Sequence, residues 1–254
     1  MSDDFLNLDY EKVAKKITRF ISSQVKSRRK NGIVIGLSGG IDSSVCVILA
    51  CRALPRHSII ALSMPEKHLT SQKDLQNVRF LAKKLKIKYR EINIERGKKA
   101  LLNNPIKDRL AGGNFSARIR MALLYYYAAT NNLLVLGTAD KSELMIGYFT
   151  KFGDAGADIF PIGELYKSQV RLLGKKLQLP EQILQQPSSP GFWKGQLAEK
   201  EIGLPYIEID RILESYLSNR SNTGDSSQRN IKLVTEMIRK NQHKKDDIPI
   251  CIPF

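Results

Sequence analysis

Apolar positions along the chain fall into two alternating patterns, short β-branched runs and longer stretches with helical spacing. Val13, Ile17, Phe20, Ile21 and Val25 share one helical face, with Asp9 placed to cap that helix and Gly32 to stop it. Ile33, Val34, Ile35 and Leu37 form the run expected of a strand buried on both faces. A glycine-rich turn follows, and then an apolar helix predicted to open at Ser43 and reach Leu54. The alternation repeats, with a strand over 58–64, a helix from Thr70 through Leu85, and an alternating strand over 88–94. The stretch from Arg96 to Gly113, with Pro105, lacks a period. Asn114 is then placed to cap a helix over 115–130, and Leu133 to Leu136 make a fourth strand. Strands alternating with helices predict a right-handed parallel α/β sheet whose ligands sit at the carboxyl ends of the strands. Residues near Ser38, Met64 and Thr138 should therefore converge.

Beyond the fourth strand the pattern changes. Gly137 to Glu143 and Gly147 to Asp158 are dense in glycine, acids and aromatics, unusual for a plain surface loop, and mark a second half of the site. A helix through Leu172, Leu173 and Leu177 follows. A long loop over 185–196, expected to be mobile and lid-like, comes next. Helices around 206–217 and 228–240 and a proline-containing tail to Phe254 close the sequence.

The first turn carries the most specific chemistry. Gly39 and Gly40 permit left-handed backbone and close approach of a ligand, and the following helix points its N-terminal amides at an anion. No lysine follows these glycines, so the turn is not a P-loop, and Gly36, Gly39 and Gly40 do not fit the dinucleotide fingerprint. Ser38-Gly39-Gly40-Ile41-Asp42-Ser43 instead matches the Ser-Gly-Gly-x-Asp-Ser motif of the N-type ATP pyrophosphatases.

Composition narrows the function classes. The chain has 254 residues, 42% hydrophobic and 26% charged, enough to bury a core without staples, and it reads as a single domain over 1–254. No apolar run reaches the ~18 residues of a membrane span, and the acidic start Met1 to Phe5 lacks the apolar core of a signal peptide. Three cysteines without a Cys-x-x-Cys pair point to the reducing cytoplasm, with Cys46 and Cys51 as small core residues. The net charge of +16 fits polyanionic small molecules or solubility as well as nucleic acid. Its basic clusters are scattered and lack an aromatic platform, so nucleic acid is not expected as a partner.

Over nearly its whole length the chain resembles the ammonia-dependent NAD synthetases. The motifs that carry the resemblance are Ser38 to Ser43, Gly113-Asn114, Ala117-Arg118, Gly137-Thr138, Gly147 to Asp158, Leu165 to Lys167, Pro187 to Gln196, Ile202-Gly203 and His243-Lys244. The resemblance implies an adenine-nucleotide α-hydrolase fold, a parallel-sheet sandwich with helices on both faces, usually homodimeric. It implies ATP-dependent amidation of deamido-NAD by ammonia through an acyl-adenylate, releasing pyrophosphate and AMP. Carried over, Gly36, Leu37, Ser38, Gly39, Gly40, Ile41, Asp42 and Ser43 would cradle ATP, joined by Met64, Thr138, Lys167 and Ser189, with Ser188 an alternative register for Ser189. Asp42 and Glu143 would bind Mg²⁺, Asp42 and Lys167 would be catalytic, and Arg118, Lys151, Asp158, His243 and Lys244 would hold deamido-NAD. Gln196 is followed by Leu197-Ala198-Glu199 where the family shows Thr-Asp-Glu, which argues against a ligand role there. A tRNA thiolase would need cysteine pairs the chain lacks, and no glutaminase domain is expected beside the synthetase domain.

Overall fold

The computed structural model describes residues 3–102, 107–218 and 226–253, so Met1, Pro105 and Phe254 lie outside the described residues. The helix α1 (Tyr10–Ser27) is capped by Asp9, whose side chain accepts from Lys12 N, and it buries Ala14, Ile17, Ile21 and Val25. Phe20 was placed on that face by spacing but is 38% exposed, because the buried stripe runs 14, 17, 21, 25 and leaves position 20 at its margin.

Strand β1 (Gly32–Gly36) leads into α2 (Ile41–Ala53), and β2 (Ile59–Ser63) follows. Helix α2 opens at Ile41, two residues before the expected start, because Gly40 is the N-cap. The hydroxyls of Ser43 and Ser44 fold back on the Gly40 carbonyl at 3.2 and 2.7 Å. Next come α3 (Gln72–Leu85), the short edge strand β3 (Lys88–Glu91) and α4 (Glu95–Leu101). Helix α5 (Arg109–Asn131) starts five residues before Asn114. Its cap is Asp108, which accepts from Leu110 N and Ala111 N, while the Asn114 carboxamide accepts instead from Thr150 Oγ1 at 2.7 Å. Strand β4 (Leu133–Leu136) completes the sheet.

The four strands are parallel in the order β3-β2-β1-β4. Alternate side chains feed two cores. Ile33, Ile35, Ile59, Ala61, Leu134 and Leu136 pack on α1, α2 and α3, whereas Val34, Ile60, Leu62 and Val135 pack on α5. The chain therefore winds one way from β1 to β3 and returns across the opposite face to β4. The direction reverses between β1 and β4, the place where an open α/β sheet offers a crevice.

The remaining helices are α6 (Lys141–Ile146), α7 (Lys167–Lys176), α8 (Glu181–Leu184), α9 (Ala198–Ile202), α10 (Tyr206–Leu217) and α11 (Gln228–Asn241). Helix α7 joins the core beside α2, while Ile146, Tyr206, Ile209, Leu213, Val234 and Ile238 build a separate apolar core among α6, α9, α10 and α11. Cys46 and Cys51 are buried in the first core, as expected. Among the described residues no helix is long and apolar enough to cross a membrane.

Candidate active site

The turn after β1 is held by its own hydroxyls. Gly40 N donates to Ser38 Oγ at 3.2 Å, and the Ser38 and Ser43 hydroxyls lie 3.1 Å apart. Gly39 has φ +87°, and a Cβ there would stand 2.5 Å from the Asp74 carbonyl oxygen, so only glycine fits. No side chain caps α2, which leaves its first amides available to an anion. Met64, at the end of β2, lies against Gly36, where a Cβ would meet its Cε at 3.6 Å.

The turn after β4 brings the second set of groups to the same crevice. Asp140 caps α6 by accepting from Glu143 N at 2.9 Å. Lys167 opens α7 and is fully buried. Its Nζ lies 2.8 Å from Asp42 Oδ2, 2.7 Å from Asp140 Oδ2 and 2.8 Å from Glu143 Oε1, with the Tyr206 ring 5.1 Å away. Burial works against the charge on Lys167, but the three carboxylates outweigh it and hold the ammonium well above the usual lysine range. Burial pushes the Asp140 carboxyl up to about 6 and Glu143 well above its ordinary value, with Lys167 opposing both shifts.

Asp140 was not singled out from the sequence. The signal was available, since Asp140-x-x-Glu143 has the spacing of a helix N-terminal box. One oxygen from each of Asp42, Asp140 and Glu143 lies within 4.8 Å of the others. Asp42 Oδ1 is buried and has no hydrogen-bond partner among the described residues. Three carboxylates against one ammonium leave a formal charge of −2. An all-oxygen donor set with that charge fits a hard divalent cation such as Mg²⁺.

The residues expected to hold the second substrate gather around 147–151, with one exception. Arg118 Nε donates to Lys151 O at 3.3 Å, and Lys151 Nζ donates to His243 O at 2.6 Å. Lys244 Nζ donates to the carbonyls of Gly147 and Phe149 at 2.7 and 3.1 Å, closing the C-terminal end of α6. Asp158 is engaged elsewhere. Its carboxylate accepts from Val135 N at 2.7 Å and Tyr125 OH at 3.4 Å, tying it to β4.

The 185–196 loop lies across the crevice. Gln186 accepts from Asn77, whose amide also reaches the Gly39 carbonyl, and donates to Asp74. The Phe192 ring rests on Gly113, where a Cβ would stand 2.1 Å from it. Gln196 and Tyr148 both donate to Glu201 Oε2 at 2.7 Å. Ser189 is exposed and its hydroxyl accepts from Gly191 N, whereas Ser188 Oγ is buried. Glu199, in the divergent stretch, accepts from Tyr206 N, the first amide of α10, at 2.8 Å. Asn77, Gln186 and Glu201 carry no motif of their own and become visible only in three dimensions.

The chain is similar to known proteins. A family model described as NAD synthase matches residues 13–248. A relative from Staphylothermus marinus, an NH(3)-dependent NAD(+) synthetase, is 42% identical over 97% of this chain and 93% of its own length. Two solved structures are also similar. An NH3-dependent NAD synthetase from Campylobacter jejuni superposes with a TM-score of 0.83 at 33% identity, covering 96% of this chain and all of its own. An NMN synthetase from Francisella tularensis gives a TM-score of 0.87 at 34% identity, covering 98% of this chain and all of its own. The chain with the Ser38–Ser43 turn and the Lys167 cage belongs to the NAD synthase family.

Proposed function

We infer that this protein amidates deamido-NAD with ammonia at the expense of ATP. The observation that carries this reading is the convergence of the Ser38–Ser43 turn, three carboxylates and Lys167 at the point where the sheet reverses direction. A carboxylate is a poor acyl donor until it is adenylated. Its oxygen attacks the α-phosphorus of ATP, the bond to the β-phosphate oxygen breaks, and pyrophosphate leaves. Ammonia then attacks the acyl carbon, the bond to the AMP oxygen breaks, and the nitrogen loses a proton to solvent. No side-chain nucleophile is needed, so the protein's work is positioning and charge neutralisation.

Asp42, Asp140 and Glu143 would hold Mg²⁺, which supplies neutralising charge to the polyphosphate when bound. Lys167 offers a cation to the same phosphates, and the amides after Gly40 cradle them. Met64, Thr138 and Ser189 would complete the ATP site. The basic cluster of Arg118, Lys151, His243 and Lys244 would meet the second substrate, with Asp158 anchoring its loop to the sheet. Free ammonia is the nitrogen donor, as the names of the relatives support.

Helix α5 supports a homodimer. Of its 23 residues, Gly112, Gly113, Ser116, Ala117 and Ala128 are buried, while Leu110 and Tyr126 are 52% and 63% exposed. The absence of disulfides suits the cytoplasm.

Incubation with ATP, Mg²⁺, deamido-NAD and ammonium should yield NAD, AMP and pyrophosphate, whereas ADP and phosphate would overturn adenylation. The likeness to an NMN synthetase favours one second reading, with nicotinate mononucleotide as the acceptor. The two acceptors are separated by their kcat/KM ratio in the same assay, which should favour deamido-NAD.

A further inference from the structure

Asp210 lies in the middle of α10, flanked on the same helix by the buried Tyr206, Ile209, Ile212 and Leu213, and is itself fully buried. An acid in such a face is costly unless its oxygens are fully bonded. They are bonded, and the partners belong to the active site's two supporting helices. Asp210 Oδ1 accepts from Ser142 Oγ at 2.5 Å, and Oδ2 accepts from Ser168 N at 2.9 Å and Ser168 Oγ at 2.5 Å. Ser142 Oγ in turn accepts from Lys167 N at 2.9 Å. The first two amides of α7, which no helix carbonyl can satisfy, are thus met by Ser142 and Asp210, with a negative charge at the helix's positive end.

The positions of the two serines matter. Ser142 sits between Asp140 and Glu143 in the chain, and Ser168 follows Lys167 directly. One carboxylate therefore fixes the helix that carries two of the cage acids to the helix that carries the cage lysine. We propose that Asp210 is a positioning residue for the amidation, acting through Ser142 and the first turn of α7 to hold Lys167 Nζ among its three carboxylates. The proposal rests on the amidation reading for the role of Lys167, but its geometric content does not.

The test uses the full chain with Asp210→Ala, Asp210→Asn, Ser142→Ala and the double variant Asp210→Ala/Ser142→Ala. Asp210→Ala and Ser142→Ala should each lower kcat at least 10-fold, with KM for deamido-NAD and for ammonium within 3-fold of wild type. Asp210→Asn keeps an acceptor for Ser168 and should recover part of the loss. The double variant should lose no more than the worse single one, because both act through one bridge. Independently, the Lys167 side-chain signal in ¹⁵N-lysine spectra, assigned by its disappearance in Lys167→Arg, should be sharp in wild type and shifted or broadened in Asp210→Ala.

Wild-type kcat in folded Asp210→Ala, or an unmoved Lys167 signal, overturns the proposal. If Asp210→Ala does not fold, Ser142→Ala carries the test, and wild-type kcat with an unmoved signal in that variant overturns it equally. Should wild-type protein fail to amidate deamido-NAD, the functional reading falls while the Lys167 signal still decides the positioning claim.

Discussion

With three carboxylates around Lys167, charge balance at the cage depends on what else binds there. Asp42→Ala or Glu143→Ala removes a metal-ligand candidate and should lower turnover by at least 100-fold while raising the Mg²⁺ requirement. Unchanged kcat and Mg²⁺ dependence in either variant would take that residue out of the site. The cage also shapes stability. Burial lifts the folded Asp140 carboxyl to about 6 from an ordinary 3.8, so the folded state binds this proton more tightly than the unfolded one. Unfolding free energy contributed by Asp140 therefore falls as pH rises from about 4 to about 6. In chelator and without nucleotide, Asp140→Asn should gain stability relative to wild type across that window. Urea unfolding from pH 4 to 7 measures it, and a constant difference would refute the assignment. At this scale the sequence was legible where a motif names a residue that the fold brings to the cage, as with Asp42, Glu143 and Lys167, whereas the motif residue Asp158 is bonded to β4. Asp140 shows locally only as the first position of a helix N-terminal box, and Asp210 not at all, because their roles depend on partners 27 and 42 positions away.

Among the elements, α5 and the late loop are the most interdependent. Gly112 and Gly113 looked like loop residues, yet both lie inside a helix, and at Gly113 the Phe192 ring occupies the space a side chain would take. Local propensity argued for a break there, and tertiary packing overrode it. Gly113→Ala should therefore leave α5 intact, since alanine is the better helix former, but displace the loop. Limited proteolysis within 185–197 should quicken several-fold and KM for ATP should rise, with the melting temperature changed little. Unaltered cleavage would show that the ring has another seat. Helix boundaries elsewhere shifted for equally concrete reasons. Asp108 offers α5 an earlier cap than Asn114, and Gly40 gives α2 a start that its own serines then reinforce.

On the scale of the whole molecule, the parallel sheet was readable because strands buried on both faces leave unbroken apolar runs, and β1, β2 and β4 are such strands. Strand β3 was legible for a different reason, its alternation, since it lies at the sheet's edge with most side chains exposed. The strand order could not be read, and it is the order that brings the β1 and β4 turns together. The exposed residues of α5 lead to one expectation for the assembly. Sedimentation at micromolar concentration should give twice the 28.7 kDa chain mass, and a charge introduced at Tyr126 (Tyr126→Glu) should shift it toward monomer. A monomeric wild type would remove the α5 interface.

The clasp made by Asn241, Lys244 and Lys245 on the carbonyls of Met145, Ile146, Gly147 and Phe149 has a consequence for the time course of synthesis. The sheet can assemble as soon as β4 has left the ribosome, but Lys151 Nζ and the carbonyls at 145–149 meet their partners at 241–245 only after about a hundred more residues emerge. The turn after β1 and its sheet can therefore form early, while the carbonyls at 145–149 wait for α11 and the residues just after it.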